Sequence, residues 1–141
     1  MNQANKILVA VVDDHPIIVQ GITMALNEHP CIEVVIATSH GRDLIKKLER
    51  KMVDIVLMDL KMPVMDGIKT TKYLSLHFPH LKIVGLSMLN ETGSIVEIIK
   101  AGAHGFISKG SSLEELVETI LKVRREGYCF NNYLNESTFK C

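Results

Sequence analysis

The sequence predicts an α/β domain: five parallel strands in a doubly wound sheet with helices on both faces. Three observations carry this. Short apolar runs alternate with stretches of helical period, and Gly, Pro, Asn, Asp or Ser bound the runs. The first, third and fourth runs are continuous rather than alternating, the pattern of strands buried on both faces of a parallel sheet.

In chain order, Ile7-Leu8-Val9-Ala10-Val11-Val12 sets a strand near 6–12 that ends on Asp13-Asp14. Pro16 suits the first position of a helix over 16–28. A second strand is predicted near 32–37 and a helix over 41–51. The run Ile55-Val56-Leu57-Met58 places the third strand near 54–58, with Asp59 directly behind it, followed by Leu60-Lys61-Met62-Pro63-Val64-Met65-Asp66-Gly67. The helix over 66–77 is closed by Pro79, and a fourth strand near 82–87 ends on Ser87. Ile95, Ile98 and Ile99 mark a helix over 91–101 that stops at Gly102. The fifth strand, near 104–108, runs through Phe106-Ile107-Ser108 into Lys109. Ser112 and Glu115 form a capping box for a helix over 112–126 whose stripe is Leu113, Leu116, Val117, Ile120 and Leu121. Parallel neighbours need crossover connections, and these helices supply them.

The chain has 141 residues, enough for one domain with a sizeable core. Lys+Arg and Asp+Glu number 16 each, so overall charge points neither to nucleic acid nor to an anionic membrane. Cys31, Cys129 and Cys141 lack metal-ligand spacing and read as free thiols. Without a membrane-length apolar stretch or a signal peptide, the chain reads as cytoplasmic. After Gly127 the periodicity is lost, so 1–126 is predicted as the domain and 127–141 as a tail or the start of a linker.

A doubly wound sheet in the order 2-1-3-4-5 makes strands 1 and 3 neighbours whose connections leave toward opposite faces, opening a crevice at the strand ends. Asp13, Asp14 and Asp59 meet there. Three packed carboxylates repel unless a cation compensates them. A hard divalent ion such as Mg²⁺ suits two carboxylates, a backbone carbonyl and a phosphoryl oxygen. The expected direct ligands are Asp14 and Asp59, with the Lys61 carbonyl, and Asp13 acting through water. Lys109 and the ion would supply positive charge for phosphoryl transfer to a carboxylate, and Ser87 a hydroxyl donor. Singly, each of these residues has an ordinary explanation: paired acids cap helices, a serine at a strand end bonds backbone, and a lysine is solvated. His15, His77, His80 and His104 read as structural or surface residues, and Met58, Met62, Met65 and Met88 as packing around the site.

Taken as an ordered set, Asp13-Asp14, Asp59 with Met62-Pro63 and Asp66-Gly67, Ser87, and Lys109 after Gly105-Phe106-Ile107-Ser108 resembles the receiver domain of bacterial two-component response regulators. The resemblance covers about residues 5–126 and implies a flavodoxin-like fold. Asp13-Asp14-His15-Pro16 followed by Gly21, with Ser108-Lys109, is similar to the subfamily that carries a LuxR-type helix-turn-helix output domain. It implies that a sensor histidine kinase or phosphotransfer protein phosphorylates Asp59, that Lys109 pairs with the phosphoryl oxygens, and that Ser87 and Phe106 switch. The switched surface would comprise the fourth helix, fifth strand and fifth helix. It further implies a homodimer on phosphorylation, transcriptional control through a DNA-binding domain beyond this chain, and no enzymatic turnover other than that of its own aspartyl phosphate.

The match has departures. Gly110 replaces a common proline, and a trans bond is expected before it. Met88 stands where a small residue is usual, Phe106 lacks a tyrosine hydroxyl, and Lys61 and Leu89 flank the path of hydrolytic water. Alternatives are a single-domain receiver acting by protein contacts, a haloacid-dehalogenase-like phosphatase, which would want an aspartate at Lys61, and a flavodoxin-like module, whose phosphate Asp13-Asp14 would repel. Residues 127–141 do not supply a DNA-binding helix-turn-helix.

Overall fold

The structure, a computed structural model, describes residues 6–60, 66–87 and 92–130. Five strands, β1 (Ile7–Val12), β2 (Ile32–Thr38), β3 (Ile55–Asp59), β4 (Lys82–Ser87) and β5 (Gly105–Ser108), alternate with five helices. The helices are α1 (Pro16–Asn27), α2 (Gly41–Leu48), α3 (Gly67–His77), α4 (Thr92–Ala101) and α5 (Leu113–Glu126). All strand pairs are parallel, in the order β2-β1-β3-β4-β5. This is the predicted architecture.

Side-chain alternation divides the core. Val9 and Val11 of β1 join Ile55, Leu57, Val84, Leu86 and Ile107 on one face, covered by Leu26 of α1 and Leu116, Ile120 and Val123 of α5. Ala10 and Val12 face the opposite side with Val56, Met58 and Ile83, under Leu44 of α2, Leu74 of α3 and Ile98 of α4. β3 is buried at every position, as its continuous apolar run requires. β2, at the sheet edge, alternates more openly and has a bulge where Val35 falls between the Val9↔Val34 and Ala10↔Ile36 pairs.

The expected boundaries shift at α2. The helix ends at Leu48 rather than 51, because the N–H groups of Arg50 and Lys51 both turn onto the Lys47 carbonyl. No glycine or proline in the sequence marks that stop. The capping box of α5 forms as expected: Glu115 N–H donates to Ser112 Oγ at 3.1 Å and Ser112 N–H to Glu115 Oε1 at 2.9 Å. Gly127 then ends α5 at φ 92°, a left-handed position where its lack of a Cβ is required.

Past that turn, the chain packs against the sheet. Cys129 is buried, bridges Gly105 in parallel, and donates its N–H to the His104 carbonyl at 2.8 Å. Residues 131–141, with Cys141, lie outside the described residues.

His104 ties this corner together. Its N–H donates to the Ile83 carbonyl at 2.7 Å, and its Nδ1 accepts the Ile83 N–H at 3.1 Å. Burial, then the nearby Lys82 charge, lowers its pKa from 6.5. The folded state therefore prefers neutral His104 while the unfolded chain protonates near 6.5, so its contribution is full above 6.5 and is lost as pH falls through the depressed value. Urea melts between pH 7 and 5 should show a loss approaching about 1.4 kcal/mol per pH unit from this group, absent in His104→Asn. An unchanged slope in that variant would contradict the assignment.

Candidate functional site

The site forms where β1 and β3 end side by side. Val12 pairs with Met58, so the next residues, Asp13 and Asp59, share the same sheet edge. Asp59 is the last residue of β3 rather than the one after it. Both carboxylates are buried, Asp13 fully. β5 delivers Lys109, whose Nζ lies 2.9 Å from Asp13 Oδ2 and 3.1 Å from Asp59 Oδ1.

These contacts set the protonation states. Burial pulls the Asp13 pKa upward, but hydrogen bonds from Lys109 and His15 outweigh it and hold the carboxyl below its ordinary 3.8. Burial likewise works against the Lys109 charge, yet bonds to Asp13 and Asp59 raise its pKa above 10.5. Asp13 is thus held as an anion and Lys109 as a cation, with the buried Asp59 carboxyl 3.1 Å from the same ammonium. Asp14, partly exposed, adds a third carboxylate.

His15 belongs to this cluster, although sequence reading treated it as structural or surface. Its N–H and Nδ1 lie 2.9 and 2.7 Å from Asp13 Oδ1, and Nδ1 is 3.2 Å from Asp14 Oδ1. The signal for this was the two-residue spacing from Asp13, since an aspartate side chain bonds the backbone two residues on and folds that neighbour back over itself. Ligand atoms of Asp13, Asp14, His15 and Asp59 all lie within 4.8 Å of one another.

The donor set fits a hard cation. Against one ammonium stand three carboxylates, and charge balance favours an oxygen-liganded divalent ion. Asp13 already has His15 at one oxygen and Lys109 at the other. Among the described residues, Asp14 Oδ1 meets the His15 ring, at 3.2 Å. Asp14 is therefore better placed than Asp13 for direct ligation. Lys61, the expected carbonyl donor, lies outside the described residues, as do Met62, Pro63, Met65, Met88 and Leu89.

Ser87 ends β4 buried, and its carbonyl accepts the Lys109 N–H at 2.7 Å. Ser87 also pairs with Ser108, which places β4 and β5 in register at the site. Phe106 is already buried, at 4% exposure. Ser108 Oγ accepts the Gly110 N–H at 3.1 Å and its carbonyl the Ser111 N–H at 3.0 Å, shaping the turn after Lys109. No peptide bond is cis among the described residues, so the expected trans Lys109–Gly110 bond is present.

Gly67 sets the far wall. Its N–H donates to the Leu60 carbonyl at 3.1 Å, and Asp66 caps α3 by accepting the Lys69 N–H at 2.8 Å. A Cβ at Gly67 would collide with the Asp59 carbonyl oxygen and come within 2.8 Å of Leu60 Cα, both backbone atoms that cannot yield cheaply. Gly67→Ala should cost about 1–3 kcal/mol in a denaturant melt, the usual overpacking range. Wild-type stability would show that α3 can move away from Asp59.

A family profile described as the response regulator receiver domain matches residues 9–121. The response regulator GacA of Pseudomonas aeruginosa is 37% identical over 117 residues, covering 83% of this chain and 55% of that protein. UvrY of Escherichia coli, also a response regulator, is 35% identical over 115 residues, covering 82% and 53%. A solved structure of the Salmonella typhimurium RcsB response regulator, reported for conformational dynamism in DNA interaction, superposes with a TM-score of 0.79. It is 29% identical, and the match covers 89% of this chain and 62% of that one. The chain therefore spans about half the length of the curated relatives it matches.

Proposed function

Because the chain belongs to the response regulator receiver domain family, we propose that Asp59 accepts a phosphoryl group from a phosphohistidine and thereby switches a protein-interaction surface. One observation carries the reading: a single buried ammonium, Lys109, lies 2.9 Å from Asp13 and 3.1 Å from Asp59 at the ends of three strands.

An Asp59 carboxylate oxygen attacks phosphorus; the P–O bond forms as the P–N bond breaks, and the departing imidazole nitrogen keeps the electron pair and takes up a proton. Lys109 follows the incoming charge and pairs with a phosphoryl oxygen. Asp13, held by His15, keeps the ammonium aimed at the site. Ser87 donates its hydroxyl to another phosphoryl oxygen, and Phe106 repacks as Ser87 moves. Asp14 and Asp59 would hold Mg²⁺ directly, with the Lys61 carbonyl, and Asp13 through water; the ion supplies charge neutralisation for the transferring group. Water attack on the acyl phosphate resets the switch, so turnover is confined to the protein's own aspartyl group.

The donor is a sensor histidine kinase or a phosphotransfer protein. The half-length match to GacA and UvrY supports an output domain beyond residue 141, through which DNA would be bound and transcription controlled. A homodimer forms on phosphorylation. No helix among the described residues is long and apolar enough to cross a membrane. Membership of the receiver domain family is what supports placing the protein in the cytoplasm.

The test is incubation with acetyl phosphate and Mg²⁺. We expect a hydroxylamine-labile label that peptide mapping locates at Asp59. Absence of that label would sink the reading, and steady hydrolysis of free phosphate esters would favour a phosphatase instead.

A further inference from the structure

The main chain beyond α5 is built onto the strand that carries Lys109. Gly127 reverses the chain, and Cys129 bridges Gly105 in parallel, so the strap runs in the same direction as β5 along its outer edge. Two independent anchors hold it. The Cys129 side chain is buried in the α1/α5 half of the core, among the cluster containing Val84, Ile107, Ile120 and Val123, and its N–H donates to the His104 carbonyl at 2.8 Å.

Contact at Gly105 is close. A Cβ there would lie 2.6 Å from the Cys129 carbonyl oxygen, so the strap backbone passes directly over a position that has no side chain. Tyr128 and Phe130 stack their rings at a centroid separation of 6.3 Å, and Tyr128 is exposed. The strap is thus pinned at its middle residue and open on its outer side.

β5 has only four residues, Gly105–Ser108, with the strap at one end and Lys109 directly after the other. A strand of that length spans about 13 Å. β4 holds its inner edge, through pairs running from Val84↔Gly105 to Ser87↔Ser108. Among the described residues, the strap makes the one bridge on its outer edge.

We propose that the strap at Tyr128, Cys129 and Phe130 reads the state of β5: it is docked in the unmodified protein and loosened when Asp59 is phosphorylated. This rests on the acceptor reading of Asp59. In the unmodified site, Lys109 is shared between Asp13 and Asp59. Added phosphoryl charge draws Lys109 toward the site end of the sheet, and β5 follows its last residue. Gly105 moves with the strand, and the hydrogen bond from the Cys129 N–H to the carbonyl of His104, the residue just before Gly105, is strained by that movement. The close fit between the two leaves little slack. Releasing the strap frees the direction in which the chain leaves the domain, which converts a charge at Asp59 into a change in whatever follows residue 130.

Docking and phosphorylation are then reciprocally linked: each weakens the other by the same factor. A strap that merely closes the sheet edge would show no such linkage.

The test is amide hydrogen exchange at Cys129 in the 141-residue chain, followed by NMR with and without beryllofluoride and Mg²⁺ as a phosphoryl mimic. Fluorine NMR reports binding of the mimic separately. We expect the Cys129 amide to exchange about fivefold faster or more when the mimic is bound, the lower end of ordinary allosteric coupling, while Val9 and Val56 in the central strands are unchanged. Cys129→Pro, which removes the anchoring N–H and leaves β5 intact, should bind the mimic more tightly by the same factor. Bound mimic with unchanged or slower Cys129 exchange would overturn the strap proposal and leave the acceptor reading standing. No binding of the mimic would remove both. The exchange measurement needs no variant, so a poorly folding Cys129→Pro does not protect the idea.

Discussion

Asp59→Asn is expected to erase the hydroxylamine-labile label while making the fold more stable. Asparagine keeps the shape of the side chain but has no anionic oxygen to attack phosphorus. The stability gain follows from distances. Asp59 has Lys109 at 3.1 Å, and ligand atoms of Asp13 and Asp14 within 4.8 Å. At an effective dielectric near 20 the attraction amounts to about 5 kcal/mol and each repulsion to at least about 3.5 kcal/mol. Among these three charges alone, two repulsions outweigh one attraction, and we expect removal of the Asp59 charge to stabilise by about 1–2 kcal/mol when divalent ions are chelated. Mg²⁺ should narrow the difference by stabilising the wild type more than the variant. A label that survives the substitution, or a less stable variant in chelator, would contradict the charge arrangement.

Lys109→Ala should do the reverse. It leaves Asp13 and Asp59 buried without their shared cation, and breaking one partner of a buried pair costs about 3–5 kcal/mol. Mg²⁺ should recover part of that loss, because the carboxylates then have a different cation to share. The pH dependence should also change sign. In the wild type the lowered Asp13 pKa contributes stability that is present above 3.8 and lost as pH falls through the folded value. In the variant Asp13 keeps its burial but loses its largest compensating bond, so mild acidification toward pH 5 should stabilise by protonating a crowded carboxylate. Denaturant melts in chelator, with Mg²⁺, and across this pH range separate these effects. A cost under about 1 kcal/mol would mean that Lys109 is solvated rather than holding the site together.

The parts of the molecule most legible in the sequence were those fixed by local chemistry or strict periodicity. Continuous apolar runs located β1, β3 and β4, and the Ser112–Glu115 box located the start of α5, because burial and capping act on residues that lie near each other. Topology then brought Asp13 and Asp59 together without any sequence proximity. The overrun of α2 has a different origin: residues 49–51 have no helix-breaking chemistry, and the end is made by backbone carbonyl sharing at Lys47. His15 reads as an ordinary surface histidine because its place in the site is set by a turn at the end of a strand, which shows no helical or strand period. The docking of Cys129 was hidden for a related reason, since one buried residue in an Asn-rich stretch leaves no period to detect.

The order of the strands along the chain has a consequence for synthesis. β1 and β3 can pair as soon as residue 59 is available, placing Asp13 beside Asp59, but Lys109 comes fifty residues later with β5. A growing chain therefore carries a stretch in which the two acids are neighbours before their lysine exists. During that interval the His15 contacts, solvent, protons or a divalent ion must offset their charge, so the half-made sheet already favours the kind of counterion proposed for the finished site.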